Sequence, residues 1–397
     1  MVQLSMVQLY LKRCLVLSLI IALLADCASA TPAPTPLTPP PQRVELTSYR
    51  PTAGWRTSTP EQQGMDSEKL AEMMDAIRQR KYDIDSVLVI RNGYMVADAY
   101  VHPFRPGSRH IIRSCTKSIV SALIGIAIDQ GYIKGVDQPV LELFPERTTA
   151  NLDANKKAMT LEDLLTMTSG FDCQDSYLYR WRGLNELRRS EDWVQFVLDL
   201  PMREEPGTRF EYCNSASFLL SAIIQNTTGM SALAFAQKHL FGPLGISDVL
   251  WPSNPQGISI GWSEIQMRPH DMVKIGYLYL NEGLWDGQQI VPAPWVKAST
   301  RRHTPATLSD GYGYQWWVDA AGYYMALGYA GQYIVVVPEK DLVVVFTSDL
   351  SESNFFVPES LLKQFILPAA ESPTPLPANP DGVALLESRI RALAEQQ

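Results

Sequence analysis

The sequence predicts an α+β fold, an α/β sandwich in which one antiparallel sheet is assembled from the N- and C-terminal segments, flanked by helices, with a large mainly helical insertion between them. Three observations predict it. SVLVI and YMVADAY flank an Asn92-Gly93 turn, the signature of a β-hairpin near the start of the folded region. YGYQWWV (312–318), YYMAL (323–327), QYIVVV (332–337) and LVVVFTS (342–348) follow one another through short turns near the end, as in an antiparallel meander. Between them, from about 114 to 300, the apolar residues recur at mainly helical spacing. With 397 residues, 46% apolar and 19% charged, the chain can bury a core of that size.

Taken in order, residues 1–30 read as a signal peptide. Lys12 and Arg13 precede the apolar run CLVLSLIIALLA, which is too short to cross a bilayer and ends at the small residues Ala28-Ser29-Ala30. The expectation is an extracytoplasmic protein, secreted or periplasmic. A second reading makes Cys27 a lipidated N-terminus, because LADC is similar to a lipobox, although Asp26 is a poor residue before such a cysteine. The repeat within MVQLSMVQLY makes Met6 an alternative start. Residues 31–54 open with TPAPTPLTPPPQ, a Pro-rich tether without a core.

The folded domain is expected over 55–368, beginning with a capped amphipathic helix at MDSEKLAEMMDAIRQR, with the helical subdomain over about 114–300. Residues 369–397 read as a second Pro-rich linker, ESPTPLPANP, and an accessory amphipathic helix with Val383, Leu386, Ile390 and Leu393 on one face. No internal repeat is present. The charge balance, 34 basic against 42 acidic residues, leaves no basic surface for nucleic acid or an anionic membrane. Of the five cysteines, Cys173 and Cys213 are the candidate disulfide of an exported protein and Cys115 the free thiol.

Three serines compete as nucleophile. Ser114-x-x-Lys117 opens a helix with almost no polar face, IIRSCTKSIVSALIGIAIDQGYI, and residues three apart share one helical face. A lysine sunk there loses basicity by desolvation, and a neutral amine beside a hydroxyl is a general base. The bland alternative is a capping serine beside a snorkelling lysine, and Ser360-Leu-Leu-Lys363 has the same spacing. Ser259 lies in GISIG, a match to the G-x-S-x-G elbow that lacks the strand before it and the helix after it. None of His102, His110, His239, His270 or His303 falls in a triad or a metal-ligand spacing, so no metal site is expected. Two further elements favour Ser114: Tyr212-Cys213-Asn214 after the Pro206-Gly207 turn, and Gly328-Tyr329-Ala330-Gly331-Gln332 at the start of an apolar strand, with Tyr279-Leu-Asn281 an unpromising copy of the first at a helix end.

These elements, with TLEDLLTMTSGFD, EPGTRFEYCN, GPLGI and YGYQWW, resemble the serine β-lactamase and penicillin-binding protein superfamily, in its class C-like branch of esterases, D-aminopeptidases and 6-aminohexanoate-dimer hydrolases. The resemblance covers about residues 55–368 and implies a β-lactamase/transpeptidase-like fold. It implies Ser114 as nucleophile, Lys117 as its base, Tyr212 as second acid/base and Asn214 as the group orienting the lysine and substrate. The backbone N–H groups of Ser114 and Gln332 would form an oxyanion hole, Gly331 letting substrate approach, and no cofactor is required. Tyr329-Ala330-Gly331 departs from the Lys-Thr-Gly or His-Thr-Gly of the family's β-lactamases, which removes a carboxylate-binding cation. The expectation is an exported serine hydrolase of esters or small linear amides. Its alternatives are a peptidoglycan-related D,D-peptidase or weak β-lactamase, and a non-catalytic penicillin-binding-like envelope protein. Tyr177, Tyr179, Trp181 and Trp262 are candidate pocket walls. Natural substrate and oligomeric state are not legible.

Overall fold

The computed structural model describes residues 51–175 and 179–395. The expected signal, the first twenty residues of the tether, Cys14, Cys27 and Tyr177 lie outside the described residues. Asp66 caps helix α1 (Ser67–Gln79) by accepting from the N–H groups of Glu68 and Lys69, and Leu70, Met73, Met74 and Ile77 form its buried stripe. Strands β1 (Ile84–Arg91) and β2 (Tyr94–Tyr100) pair across the Asn92-Gly93 turn, where both residues have positive φ. Helix α2 (Cys115–Asp129) is buried along almost its whole length, as its composition demands. It lies against α3 (Asn214–Thr228), a second apolar helix of the insertion.

Helix α4 (Pro269–Leu280) leads back to the sheet and crosses β6 (Gln332–Val337) and β7 (Leu342–Ser348). Gly276 permits that approach, since a Cβ there would lie 2.6 Å from Val343. The seven strands run in the order β2-β1-β7-β6-β5-β4-β3, with β3 at Gly311–Tyr312, β4 at Trp317–Asp319 and β5 at Tyr323–Gly328. Every neighbouring pair is antiparallel, so β1 from one end of the chain sits beside β7 from the other. This is the expected α+β architecture.

Three details differ from the sequence reading. YGYQWWV is two short strands, because Gln315, at φ 63°, breaks the run. Its buried side chain donates to the carbonyls of Leu164 and Leu165 and accepts from Ser217 Oγ, while its own carbonyl accepts from Ser118 Oγ, stitching helical insertion to sheet. The end of the tether already belongs to the body: Pro51 is buried, and Thr52 Oγ1 accepts from Trp285 Nε1 at 2.6 Å. The second Pro-rich segment is strapped down, since the N–H groups of Ser372 and Leu376 donate to Gly64 and Glu61. Helix α5 (Pro380–Ala394) then packs on α1 and β2 through Leu386 and Leu393, so the tail is docked.

Candidate active site

Ser114 stands immediately before α2 with helical backbone angles and makes no side-chain capping bond. Its hydroxyl therefore remains available, against the capping reading. Lys117, one turn on, is 1% exposed and does not snorkel. The amine Nζ lies 3.1 Å from Ser114 Oγ, 2.8 Å from Asn214 Oδ1 and 2.7 Å from the carbonyl oxygen of Trp262. Burial pulls Lys117 down from 10.5 to about 7, against the opposing pull of the Asp175 carboxylate.

The acceptors around the amine decide what its neutral form can do. Asn214 Nδ2 donates to the carbonyl of Asp175 at 2.9 Å, which leaves only Oδ1 to face Lys117. Asn214 Oδ1 and the Trp262 carbonyl are acceptors with nothing to donate. A neutral amine has two hydrogens and one lone pair; with both hydrogens committed to those acceptors, the lone pair faces Ser114 Oγ. This is the arrangement in which the amine takes the serine proton.

Tyr212 completes the cluster. Its ring is half-buried and stacked on Trp317 at 5.8 Å, its hydroxyl bonds Ser114, and the Lys117 amine lies 4.8 Å from its centroid. Burial raises the phenol well above its ordinary range, outweighing the Ser114 bond, so it stays protonated at neutral pH. Of the two candidate bases, the lysine is the one whose environment favours the basic form. The Cys173–Cys213 disulfide ties the residue between Tyr212 and Asn214 to the loop before Asp175. Cys115 is free and buried, and its Sγ lies 3.4 Å from the Gln332 carbonyl, which sets the backbone at the start of β6 against the first turn of α2.

The glycine-containing turn adopts positive φ at Ala330 and Gly331. A Cβ on Gly331 would sit 2.3 Å from Ser348 Oγ and 2.7 Å from Leu350. Glycine is thus required by the packing of this hairpin on β7, a reason different from the substrate approach expected for it. The Gln332 side chain is also structural, donating from Nε2 to the Ser348 carbonyl and accepting from its N–H. Tyr329 is 43% exposed, its hydroxyl 3.3 Å from Glu352 Oε1 and its ring edge-on to Trp181 at 6.4 Å. Of the other aromatic candidates, Trp262 is buried on Trp193 and serves the cluster through its carbonyl, while Tyr179 accepts from Arg203.

The competing motifs separate on burial and pairing. Ser259 is 2% exposed, its Oγ accepting from the Leu233 N–H, with no base beside it. Lys363 is paired with Glu359 at 2.6 Å and held above its ordinary value despite partial burial, beside an exposed Ser360. Tyr279 is buried and Asn281 bonds a helix carbonyl. Among the described residues, one group of metal-ligating types converges, Cys173, Asp175 and Cys213, but its sulfurs are joined to each other. Asp175 and the Trp262 carbonyl were not anticipated. The signal for Asp175 was present: it lies two residues from a cysteine whose expected partner adjoins Tyr212 and Asn214.

A seven-stranded antiparallel sheet with a helical insertion and a serine-lysine-tyrosine cluster is the architecture of a serine hydrolase of the β-lactamase and penicillin-binding protein superfamily. The Beta-lactamase family model matches residues 62–364, and the chain belongs to that family. The 6-aminohexanoate-dimer hydrolase of Paenarthrobacter ureafaciens is 24% identical over 315 residues, covering 72% of this chain and 79% of the relative. Esterase EstB of Burkholderia gladioli is 24% identical over 228 residues, covering 52% and 58%. The octameric penicillin-binding protein homologue from Pyrococcus abyssi shares the fold at TM-score 0.61 and 20% identity, covering 79% of this chain and 80% of that one. A family VIII carboxylesterase does so at 0.59 and 15%, covering 84% and 98%.

Proposed function

We propose that the protein is an exported hydrolase of carboxylic esters or small linear amides that works through an acyl-enzyme on Ser114. The observation that carries the reading is the buried Lys117 amine 3.1 Å from Ser114 Oγ, held from its other side by the Asn214 Oδ1 and Trp262 carbonyl acceptors and drawn down by burial to about 7. Lys117 accepts the serine proton as Oγ bonds to the substrate carbonyl carbon. The proton passes through the Tyr212 hydroxyl to the departing alcohol or amine as the carbon–heteroatom bond breaks. Water, deprotonated by the same pair, then adds to the acyl carbon and releases the acid and Ser114. Backbone N–H groups of Ser114 and Gln332 are assigned the oxyanion. Asn214 orients the amine.

Tyr329 supports neutral substrates, because a phenol facing Glu352 offers no fixed cation to a carboxylate. Export is supported by the basic, apolar and small-residue order of the first thirty residues. Hydrolysis of a p-nitrophenyl acyl ester tests the reading: Ser114→Ala and Lys117→Ala each abolish turnover, and activity retained in Ser114→Ala refutes it. Aminohexanoate oligomers and D-amino acid amides assayed beside acyl esters define the substrate. Cell fractionation with mass determination of the mature N-terminus tests export and a lipid on Cys27.

A further inference from the structure

We propose that Asp175, outside all three motifs, is a positioning residue of the reaction: through Asn214 it holds the Lys117 amine in register with Ser114 and presents a negative charge to the ammonium that forms there. The inference rests on the serine-lysine reading above. Asp175 is 0% exposed, and one carboxylate oxygen accepts from the Asn214 N–H at 2.9 Å while the other accepts from the N–H and Oγ of Ser215, both at 2.7 Å. Its carbonyl accepts from Asn214 Nδ2 at 2.9 Å. Asn214 is therefore gripped at its backbone and at its amide by one residue, and its remaining oxygen has a single direction, toward Lys117.

The carboxylate takes the N–H groups of the first two residues of α3, so it also caps that helix; capping does not explain why the same residue holds the side-chain amide that faces Lys117. Cys213 accepts from the Ala216 N–H, and a buried carboxylate with no basic side chain in direct contact costs several kcal/mol unless its charge is used. The groups that act electrostatically on Lys117 are this carboxylate and the Cys115 thiol, with the Tyr212 phenol beside them; burial raises both Cys115 and Tyr212, and of the three only Asp175 receives two backbone N–H groups and a hydroxyl on its oxygens. When Ser114 transfers its proton, positive charge develops on Nζ in a site closed to water, where a fixed anion stabilises it more than solvent can. Burial raises Asp175 on balance, and the geometry works against that: its three hydrogen bonds are donated to the carboxylate oxygens, and with Lys117 they favour the ionised form. The Cys173–Cys213 bridge fixes the distance between this loop and the segment it orients.

The test is the pH profile of p-nitrophenyl ester hydrolysis for wild type, Asp175→Asn and Asp175→Glu, with fluorophosphonate labelling of each. Asp175→Asn is expected to lose about 10–100-fold in kcat, the range for outer-shell partners of working groups, with KM little changed. Its acid limb moves to lower pH, because the amine loses the anion that favours its protonated form. Asp175→Glu keeps the charge: kcat falls and the limb stays. Wild-type kcat in Asp175→Asn, or a lowered kcat with an unmoved limb, overturns the proposal; so does failure of both variants to fold, which marks a structural residue. Wild-type protein that neither turns over the ester nor labels at Ser114 overturns the hydrolase reading itself and this proposal with it.

Discussion

Replacing Lys117 by Met, close to it in length and volume, isolates the energetic cost of the buried amine. In the folded chain the amine titrates at about 7, against 10.5 for an ordinary lysine. Between those values the unfolded chain binds a proton that the folded chain does not. Stability therefore rises with pH in wild type by about 1.4 kcal/mol per unit from this group, and by roughly 5 kcal/mol across the window. Below pH 7 both states are protonated and the whole penalty is present. Above 10.5 neither is, and it vanishes. Lys117→Met has no such term. It strands Asn214 Oδ1 and the Trp262 carbonyl, at about 1–3 kcal/mol each, but that loss is the same at every pH. The offset between the two proteins depends on how these contributions balance; the difference in slope does not. Urea unfolding of both proteins without reductant, at two pH values about two units apart inside the window, should show wild type gaining roughly 3 kcal/mol on the variant. Parallel stability curves would mean that the amine is an ordinary lysine in the folded state, and the general-base argument would fall with it.

The same amine sets the pH dependence of turnover: kcat/KM should rise through about pH 7 as Lys117 loses its proton, and a flat profile across that region removes Lys117 as the base. Gly331→Ala should cost about 1–3 kcal/mol in stability and most of the ester turnover, since φ is 89° and the new methyl meets Ser348 Oγ; denaturation and kinetics that match wild type would show that the turn is not tightly packed. Replacing Cys173 and Cys213 together by Ser opens a loop with a sequence separation of 40 and should lower stability by about 4 kcal/mol. Turnover should fall further than the folded fraction does, measured by circular dichroism in the same samples, because Tyr212 and Asn214 flank the bridge; equal losses would confine its role to stability.

Some of the site is local, and that part could be read directly. Ser114 and Lys117 are three residues apart in an apolar helix, so their proximity follows from helical geometry and the burial of the amine from its neighbours. The β-hairpin at Asn92-Gly93 and the capped helix α1 are local in the same sense. YGYQWWV read as one strand because its aromatic content outweighs everything within a few residues; the hydrogen bonds that bend it at Gln315 come from Leu164, Leu165 and Ser217, more than ninety residues earlier. The tail read as an accessory because its anchors, Gly64 and Glu61, lie at the other end of the chain.

The chain by itself determined that Ser114 and Lys117 share one face of an apolar helix, the order of the three motifs and the sheet's origin in both ends, since spacing and hydrophobic pattern are properties of neighbouring residues. Only the tertiary structure decided which of the three serines stands beside a buried amine that has no carboxylate in direct contact. Ser360 has the same Ser-x-x-Lys spacing as Ser114 and Ser259 has the letters of its motif, and what separates them from Ser114 is burial, pairing and an amine whose basicity burial lowers. It also decided that Asn214 presents oxygen to Lys117, because the carbonyl of Asp175 takes its other side, and that Gly331 answers to Ser348. Proton position and charge are set by groups converging from distant segments, and a linear sequence does not encode which acceptors meet a given hydrogen until the fold brings them together.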